Sequence, residues 1–244
     1  MLLDCNETKQ QILEEFLKIC VFDGWNKDAL LKAINNCKID PKFAELIFEN
    51  DCLDLAEFFI EAQNKKALEK ILEIEDFSNK KVRDKIRLAL YARFEVEKNH
   101  QIILRRLINF YLNPKNFTSL EIGARPTIKS VESIYKVSDF IWKSIDDKST
   151  DFNFYTKRLT LSKIILRSLL FFIKDESLDF VKTKNLIDLE IEKVMKFEKK
   201  KQQVKKAFDI SKKAFGEVFF DEKGAPKSTK EIIKNLPFIR LIKF

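Results

Sequence analysis

The chain's one histidine, His100, stands three residues after Glu97. A Glu-x-x-His pair within a helix puts carboxylate and imidazole on one face, and two such pairs with two further glutamates build a di-iron carboxylate site. A second pair would need a second histidine, so the expectation is no metal, with His100 a structural or surface residue. Cys5, Cys20, Cys37 and Cys52 are widely spaced and form no C-x-x-C. Neither zinc nor a disulfide framework is indicated, and the thiols read as reduced packing residues. The sequence offers no phosphate-cradling loop, no nucleophile beside a base and no paired catalytic acids. A non-enzyme without a cofactor is the expected class.

Recognition chemistry is concentrated instead in Ser149-Thr150-Asp151-Phe152-Asn153-Phe154-Tyr155-Thr156-Lys157-Arg158. Asp151 or Thr150 suits an N-cap, because its side-chain oxygen can accept from the unpaired amides of a first helical turn. The helix that follows, Leu159 to Ile173 (LTLSKIILRSLLFFI), is apolar on almost every face and must be buried on several sides. It is too short and too charged for a membrane span, which needs about 20 apolar residues. Its opening turns hold more aromatic, amide and ionic groups than a buried helix requires. An elaborate cap with solvated ends and an interaction site both satisfy the residues alone.

The elements that position this stretch read as helices. Four Gly and five Pro in 244 residues leave few hairpin signals, while Lys, Glu, Leu and Ile recur with helical period. Predicted helices cover Thr8 to Phe22, Lys27 to Asn36 and, behind an Asp40 cap and Pro41, Pro41 to Phe48. A helix capped by Asp51 follows through Ile74. Ser78 caps a fifth (KKVRDKIRLALYARFEV), and a sixth runs from about Glu97 to Leu112. Asn116 to Thr127, with Gly123 and Pro126, reads as a loop before a seventh helix, Ile128 to Ile145. After the central helix and a turn at Asp175-Glu176-Ser177, Leu178 to Lys200 is helical. Three domains are expected: 1–50, a helix-turn-helix-like module; 51–200, a helical bundle; and 201–244, a basic tail.

A net charge of +8 raises the question of nucleic acid, but its distribution answers against it. Met1 to Glu57 carries twelve Asp/Glu against six Lys/Arg, and the third helix, PKFAELIF, has neither Arg, Asn nor Gln. Such a surface repels phosphate. The positive charge collects from Glu198 to Phe220, where Phe208, Phe215, Val218 and Phe219 fall at helical spacing opposite Lys205, Lys206, Lys212 and Lys213. A basic amphipathic helix of this kind either packs on the body or lies in a membrane interface against anionic headgroups. Residues 229–244 repeat the basic and apolar pattern. The acidic N-terminal residues show neither a signal peptide nor a transit sequence.

The run from Ser149 to Arg158 resembles the S-T-D-F-N-W-Y-T-K/R-R signature of the ubiquinone-biosynthesis family COQ9, with Phe154 in place of Trp. Asp54-Leu55-Ala56-Glu57-Phe58-Phe59 resembles the family's D/E-L-V-E-F-F. Ser133 to Trp142 is similar to its S-L-W-R-x-x-D-x-I-W, and Val194-Met195-Lys196-Phe197 to its V-M-R-F. The resemblance covers about residues 10 to 200. It implies an all-α, TetR-like helical bundle of about nine or ten helices, with an N-terminal helix-turn-helix-like module and a C-terminal amphipathic helix. A homodimer through Leu178 to Lys196 and part of the central helix is expected.

The implied function is that of a lipid-binding accessory protein of ubiquinone biosynthesis. It would hold a polyprenylated quinone intermediate or other isoprenoid lipid at the membrane and present it to a COQ7-type di-iron hydroxylase. Asp151, Asn153, Phe154, Tyr155 and Arg158 would form the docking patch. Leu104, Leu107, Ile108, Tyr111, Phe140, Ile141, Leu166, Leu169 and Leu170 are the candidate lipid lining, each equally an ordinary core position. Eukaryotic members of the family are mitochondrial, at the matrix side of the inner membrane, and without a presequence the expectation is a bacterial cytoplasm, peripheral to the inner membrane. A TetR-like regulator with a hydrophobic effector is the alternative, opposed by the acidic module. A membrane-surface structural protein without lipid is a third.

Overall fold

The computed structural model describes residues 5–113, 125–149 and 152–203. Among them the regular structure is helical: α1 is Cys5–Asp23, α2 Lys27–Asn36, α3 Pro41–Ile47, α4 Cys52–Leu72, α5 Val82–Val96, α6 Gln101–Leu112, α7 Arg125–Ser144, α8 Phe152–Phe172 and α9 Val181–Gln203. Single 3-10 turns occur at Phe77–Asn79 and Leu178–Phe180. The class is all-α, as expected, and agrees with a TetR-like helical bundle.

Local chemistry explains several boundaries. Gly24 takes φ +87° and its N–H donates to the Cys20 carbonyl at 3.0 Å, closing α1 with a residue that bears no Cβ penalty there. Asn26 then caps α2 by accepting from the Ala29 N–H at 2.9 Å, and Asp40 caps α3 by accepting from the Lys42 N–H at 3.0 Å ahead of Pro41.

Other boundaries differ from expectation. Asp51 precedes α4 but makes no capping bond, having φ +50° and an ion pair with Lys27 at 2.8 Å. Ser78 lies inside a 3-10 turn and α5 starts only at Val82. α7 begins at Arg125, so Pro126 belongs to a first turn, where its missing N–H costs nothing. Glu97 follows the end of α5, and His100 is the N-cap residue of α6. The two do not share a helix. The predicted loop from Asn116 lies, through Ala124, outside the described residues.

The chain divides into two compact units. The first takes the described residues of Met1–Glu75, Tyr91–Ser133 and Phe172–Lys174. Its core runs through an aromatic series in which Phe16 meets Trp25 edge-on at 4.8 Å, Trp25 meets Phe59 at 5.9 Å, and Phe59 meets His100 at 5.8 Å. Such pairs add about 0.5–1.5 kcal/mol each beyond their burial. The Trp25 indole N–H donates to the Cys52 carbonyl at 3.1 Å, so the buried ring leaves no orphan donor. Burial pushes the Cys20 and Cys52 thiols up to about 12, as suits packing residues rather than nucleophiles. The carbonyls of Phe172 and Ile173, at the C-terminus of α8, accept from Gln101 and Arg105 of α6 at 2.7 and 2.5 Å.

The first unit also buries an ionic cluster. Arg93 is ion-paired to Glu97, both nearly inaccessible, and its Nε donates to the Asn64 Oδ1 at 3.0 Å. His100 Nδ1 stands 3.5 Å from Glu97 Oε2, longer than a good hydrogen bond. Burial alone would raise the Glu97 carboxyl, but the Arg93 charge and its hydrogen bond bring it below the usual carboxylate range.

The second unit takes the described residues of Asp76–Leu90, Ile134–Phe171 and Asp175–Phe244. Leu159, Leu161, Ile164 and Ile165 of α8 are buried, whereas Thr160, Lys163, Arg167, Leu170 and Phe171 share one exposed face. Thus α8 is buried on several sides, as its composition requires, but not on all. The buried Glu190 of α9 accepts from Arg167 of α8 at 3.1 Å and from Lys193 at 2.7 Å, and Asp188 accepts from Arg87 of α5 at 2.7 Å.

Ahead of α9, buried Asp175 accepts from the backbone and hydroxyl of both Ser177 and Thr183 at 2.6–2.9 Å. Those donors outweigh burial and hold its carboxyl below the usual range. Among the described residues no helix is long and apolar enough to cross a membrane.

Candidate functional site

The densest meeting of ionic and aromatic side chains in the second unit lies where α7 turns into α8. Asp146, at φ +60°, makes the turn, and the Asp147 N–H donates to the Trp142 carbonyl at 3.0 Å. This folds the Asp147 side chain inward to 7% exposure. Its Oδ2 accepts from the Ser149 hydroxyl at 2.6 Å and from Arg158 Nη1 at 3.3 Å, and its Oδ1 accepts from Lys157 Nζ at 2.7 Å. Burial would raise the Asp147 carboxyl, but the Lys157, Ser149 and Arg158 donors keep it below the usual range.

Arg158 is the centre of the arrangement. Its side chain is 1% exposed, and it is neutralised by Asp147 and by Asp139 of α7, which accepts from Nε at 2.6 Å. Nη1 also donates to the Phe154 carbonyl at 3.2 Å, one turn earlier in α8. Ser138, fully buried on α7, donates its hydroxyl to the Arg158 carbonyl at 2.7 Å. A buried guanidinium is tolerated only with such complete pairing, since an unpaired interior charge costs several kcal/mol.

The aromatics rest on this ionic floor. The Arg158 Cζ lies 3.4 Å from the centre of the Phe154 ring, and Phe154 meets Tyr155 edge-on at 5.1 Å. Lys157 Nζ lies 5.1 Å from the centre of the Trp142 ring. Phe154 and Tyr155 are both half-buried. Tyr135 of α7 has its phenol pushed up to about 12 by burial, with Arg158 opposing. Paired charges beneath two partly open rings are suited to non-covalent recognition.

Of the five expected docking residues, Phe154 and Tyr155 are brought together with partly open rings. Asp151 lies outside the described residues, as does the Asn153 side chain. Arg158, expected in the patch, is drawn inside by two carboxylates and lies against the Phe154 ring. The reading of the sequence gave no site role to Asp139, Ser138 or Asp147. Asp139 and Trp142 fall within a quoted family segment, which was a usable signal; nothing in local spacing marked Asp147.

The nine candidate lining residues fall in two groups. In the first unit Leu104, Leu107 and Tyr111 are buried and Ile108 is half-buried, all on α6, with the Tyr111 hydroxyl 3.3 Å from that of Ser133. In the second, Ile141 is buried and Phe140, Leu166 and Leu169 are half-buried, while Leu170 is 47% exposed beside Phe171. Leu170 therefore belongs to an open helix face. Lys205, Lys206, Phe208, Lys212, Lys213, Phe215, Val218 and Phe219 lie outside the described residues, as does 229–244.

The COQ9 family profile matches residues 127–198, from the start of α7 through most of α9. A "Probable ubiquinone biosynthesis protein coq9, mitochondrial" of Dictyostelium discoideum is 27% identical over 214 residues, 86% of this chain and 66% of that protein. The "Ubiquinone biosynthesis protein COQ9, mitochondrial" of Rattus norvegicus is 25% identical over 206 residues, covering 82% and 62%. That of Homo sapiens is 24% identical over 206 residues, covering 82% and 61%. The chain thus spans a little under two thirds of these relatives' lengths.

Proposed function

We propose that this chain, similar to the COQ9 family over residues 127–198, is a non-catalytic, lipid-binding accessory protein of ubiquinone biosynthesis. It binds a polyprenylated quinone intermediate and presents it to a COQ7-type di-iron hydroxylase. The observation that carries this reading is the half-buried Phe154–Tyr155 pair seated on a buried, doubly neutralised Arg158, inside the family-matched stretch. A rigid aromatic pair over a fixed cation has the composition of a binding hot spot. Within the second unit, the half-buried Phe140 of α7 and Leu166 and Leu169 of α8 supply candidate lining for an isoprenoid chain.

The direct test is to extract the protein from its native host and identify what co-purifies by mass spectrometry. A polyprenylated quinone or its precursor is expected, and a protein free of any isoprenoid would sink the carrier role.

A carrier of so insoluble a substrate works at the bilayer surface, and the basic tail from Lys199 onward is proposed as the element that holds it there. The location would be the inner face of a bacterial membrane or the matrix side of a mitochondrial one. Each lysine near an anionic surface contributes about 1 kcal/mol. Truncation after Lys199 is expected to leave a folded protein that no longer floats with anionic vesicles; undiminished flotation would assign membrane binding to another element. The exposed Val181, Leu189, Met195 and Phe197 of α9, with Leu170 and Phe171 of α8, are the proposed homodimer surface.

A further inference from the structure

We infer that Asp147 is a positioning residue of the docking element, fixing the ring of Phe154 without itself touching a partner. The inference rests on the docking reading above and adds the device that makes the patch rigid. Asp147 is well placed for this and badly placed for contact. Its side chain is 7% exposed and both of its oxygens are occupied from within the same unit, by Ser149, Lys157 and Arg158.

The chain of restraint runs through Arg158. A guanidinium is planar, and donors on two different nitrogens fix the plane: Nε to Asp139 at 2.6 Å and Nη1 to Asp147 at 3.3 Å. Without Asp147, Nη1 would keep only the neutral Phe154 carbonyl, at 3.2 Å, as its acceptor, and Asp139 would be the one carboxylate left on the plane. The fixed plane is the surface on which Phe154 packs at 3.4 Å, and Tyr155 meets Phe154 edge-on. Orientation of both rings therefore depends on Asp147 as well as Asp139, the former a buried carboxylate eleven residues before the arginine and outside α8. The same carboxylate holds Lys157, whose ammonium lies 5.1 Å from the centre of the Trp142 ring. Loss of the Asp147 charge must be felt at that indole, whose buried Nε1 has no hydrogen-bond partner among the described residues.

The test uses the full chain, the COQ7-type hydroxylase of the same source and the indole N–H resonances of Trp25 and Trp142 in a nitrogen-15-labelled protein. Asp147→Asn is expected to weaken hydroxylase binding by about tenfold and to shift the Trp142 resonance while leaving Trp25, in the other unit, unmoved. Combined with Phe154→Ala, it should weaken binding little further than Phe154→Ala alone, because both act through one ring. Arg158→Lys keeps the charge but loses the planar face, and an equal loss of affinity is expected from it. This second variant decides the matter should Asp147→Asn fail to fold.

Wild-type affinity in either variant would overturn the inference, as would losses that simply add to that of Phe154→Ala. Wild-type affinity in Phe154→Ala would instead sink the docking reading, a different failure.

Discussion

Phe154→Ala combined with Tyr155→Ala is expected to abolish capture of the COQ7-type hydroxylase while leaving helicity and bound lipid nearly unchanged. Adjacent residues on a helix point about 100° apart, so two neighbouring rings cannot both enter one thin core stripe. The structure has both rings half-buried, sharing an edge contact. Truncating them removes that pair, worth about 1 kcal/mol, and the packing of Phe154 on Arg158, worth about 1–2 kcal/mol where desolvated. In a domain of this size that lowers the melting temperature by several degrees without unfolding it. Binding loses more, about 2 kcal/mol or more for each hot-spot aromatic, enough to take a micromolar complex out of reach. Capture on immobilised hydroxylase and a circular dichroism melt together decide the outcome. Collapse of the melt would mean that both rings are core; an intact complex would put the docking face elsewhere.

Arg93→Ala is expected to destabilise the protein by about 3–5 kcal/mol, because it strands the Glu97 carboxylate in the interior and takes the donor from Asn64. Replacing the pair, Arg93→Met with Glu97→Leu, is expected to recover most of that loss, since desolvating two charges nearly cancels their attraction. The acid limb supplies a second signature. The folded state holds the Glu97 carboxyl below its usual range, so its contribution is fully present above the unfolded carboxylate value of about 4.3 and is lost as pH falls through the lower folded one. The wild type should lose stability over that window, and the doubly replaced protein should lose less. Urea midpoints across the acid range measure both effects. A double variant as unstable as Arg93→Ala would show that the pair contributes shape rather than neutralisation.

Much of the architecture was legible because it is written in short-range chemistry. The α2 limits Lys27–Asn36 came out as read, since Asn26 caps through an amide three residues away. The aromatic-rich opening of α8 was visible as a string, and helical period with few glycines was enough for an all-α class. What failed were judgements that depend on a partner remote in sequence.

Asp51 had the type of an N-cap but pairs with Lys27, 24 residues away. Glu97 and His100 had the spacing of one helix face, yet the chain turns between them, Glu97 lying just past α5 and His100 at the N-cap of α6. Arg158 was legible as one residue of the docking patch but not as a buried one, because only the fold brings Asp139 and Asp147 to it from 19 and 11 residues away. Periodicity reports that a face is apolar or charged, not which neighbour meets it. A cation moves from surface to interior only when tertiary structure delivers the countercharges that offset its lost hydration, and that delivery has no local signature in the sequence.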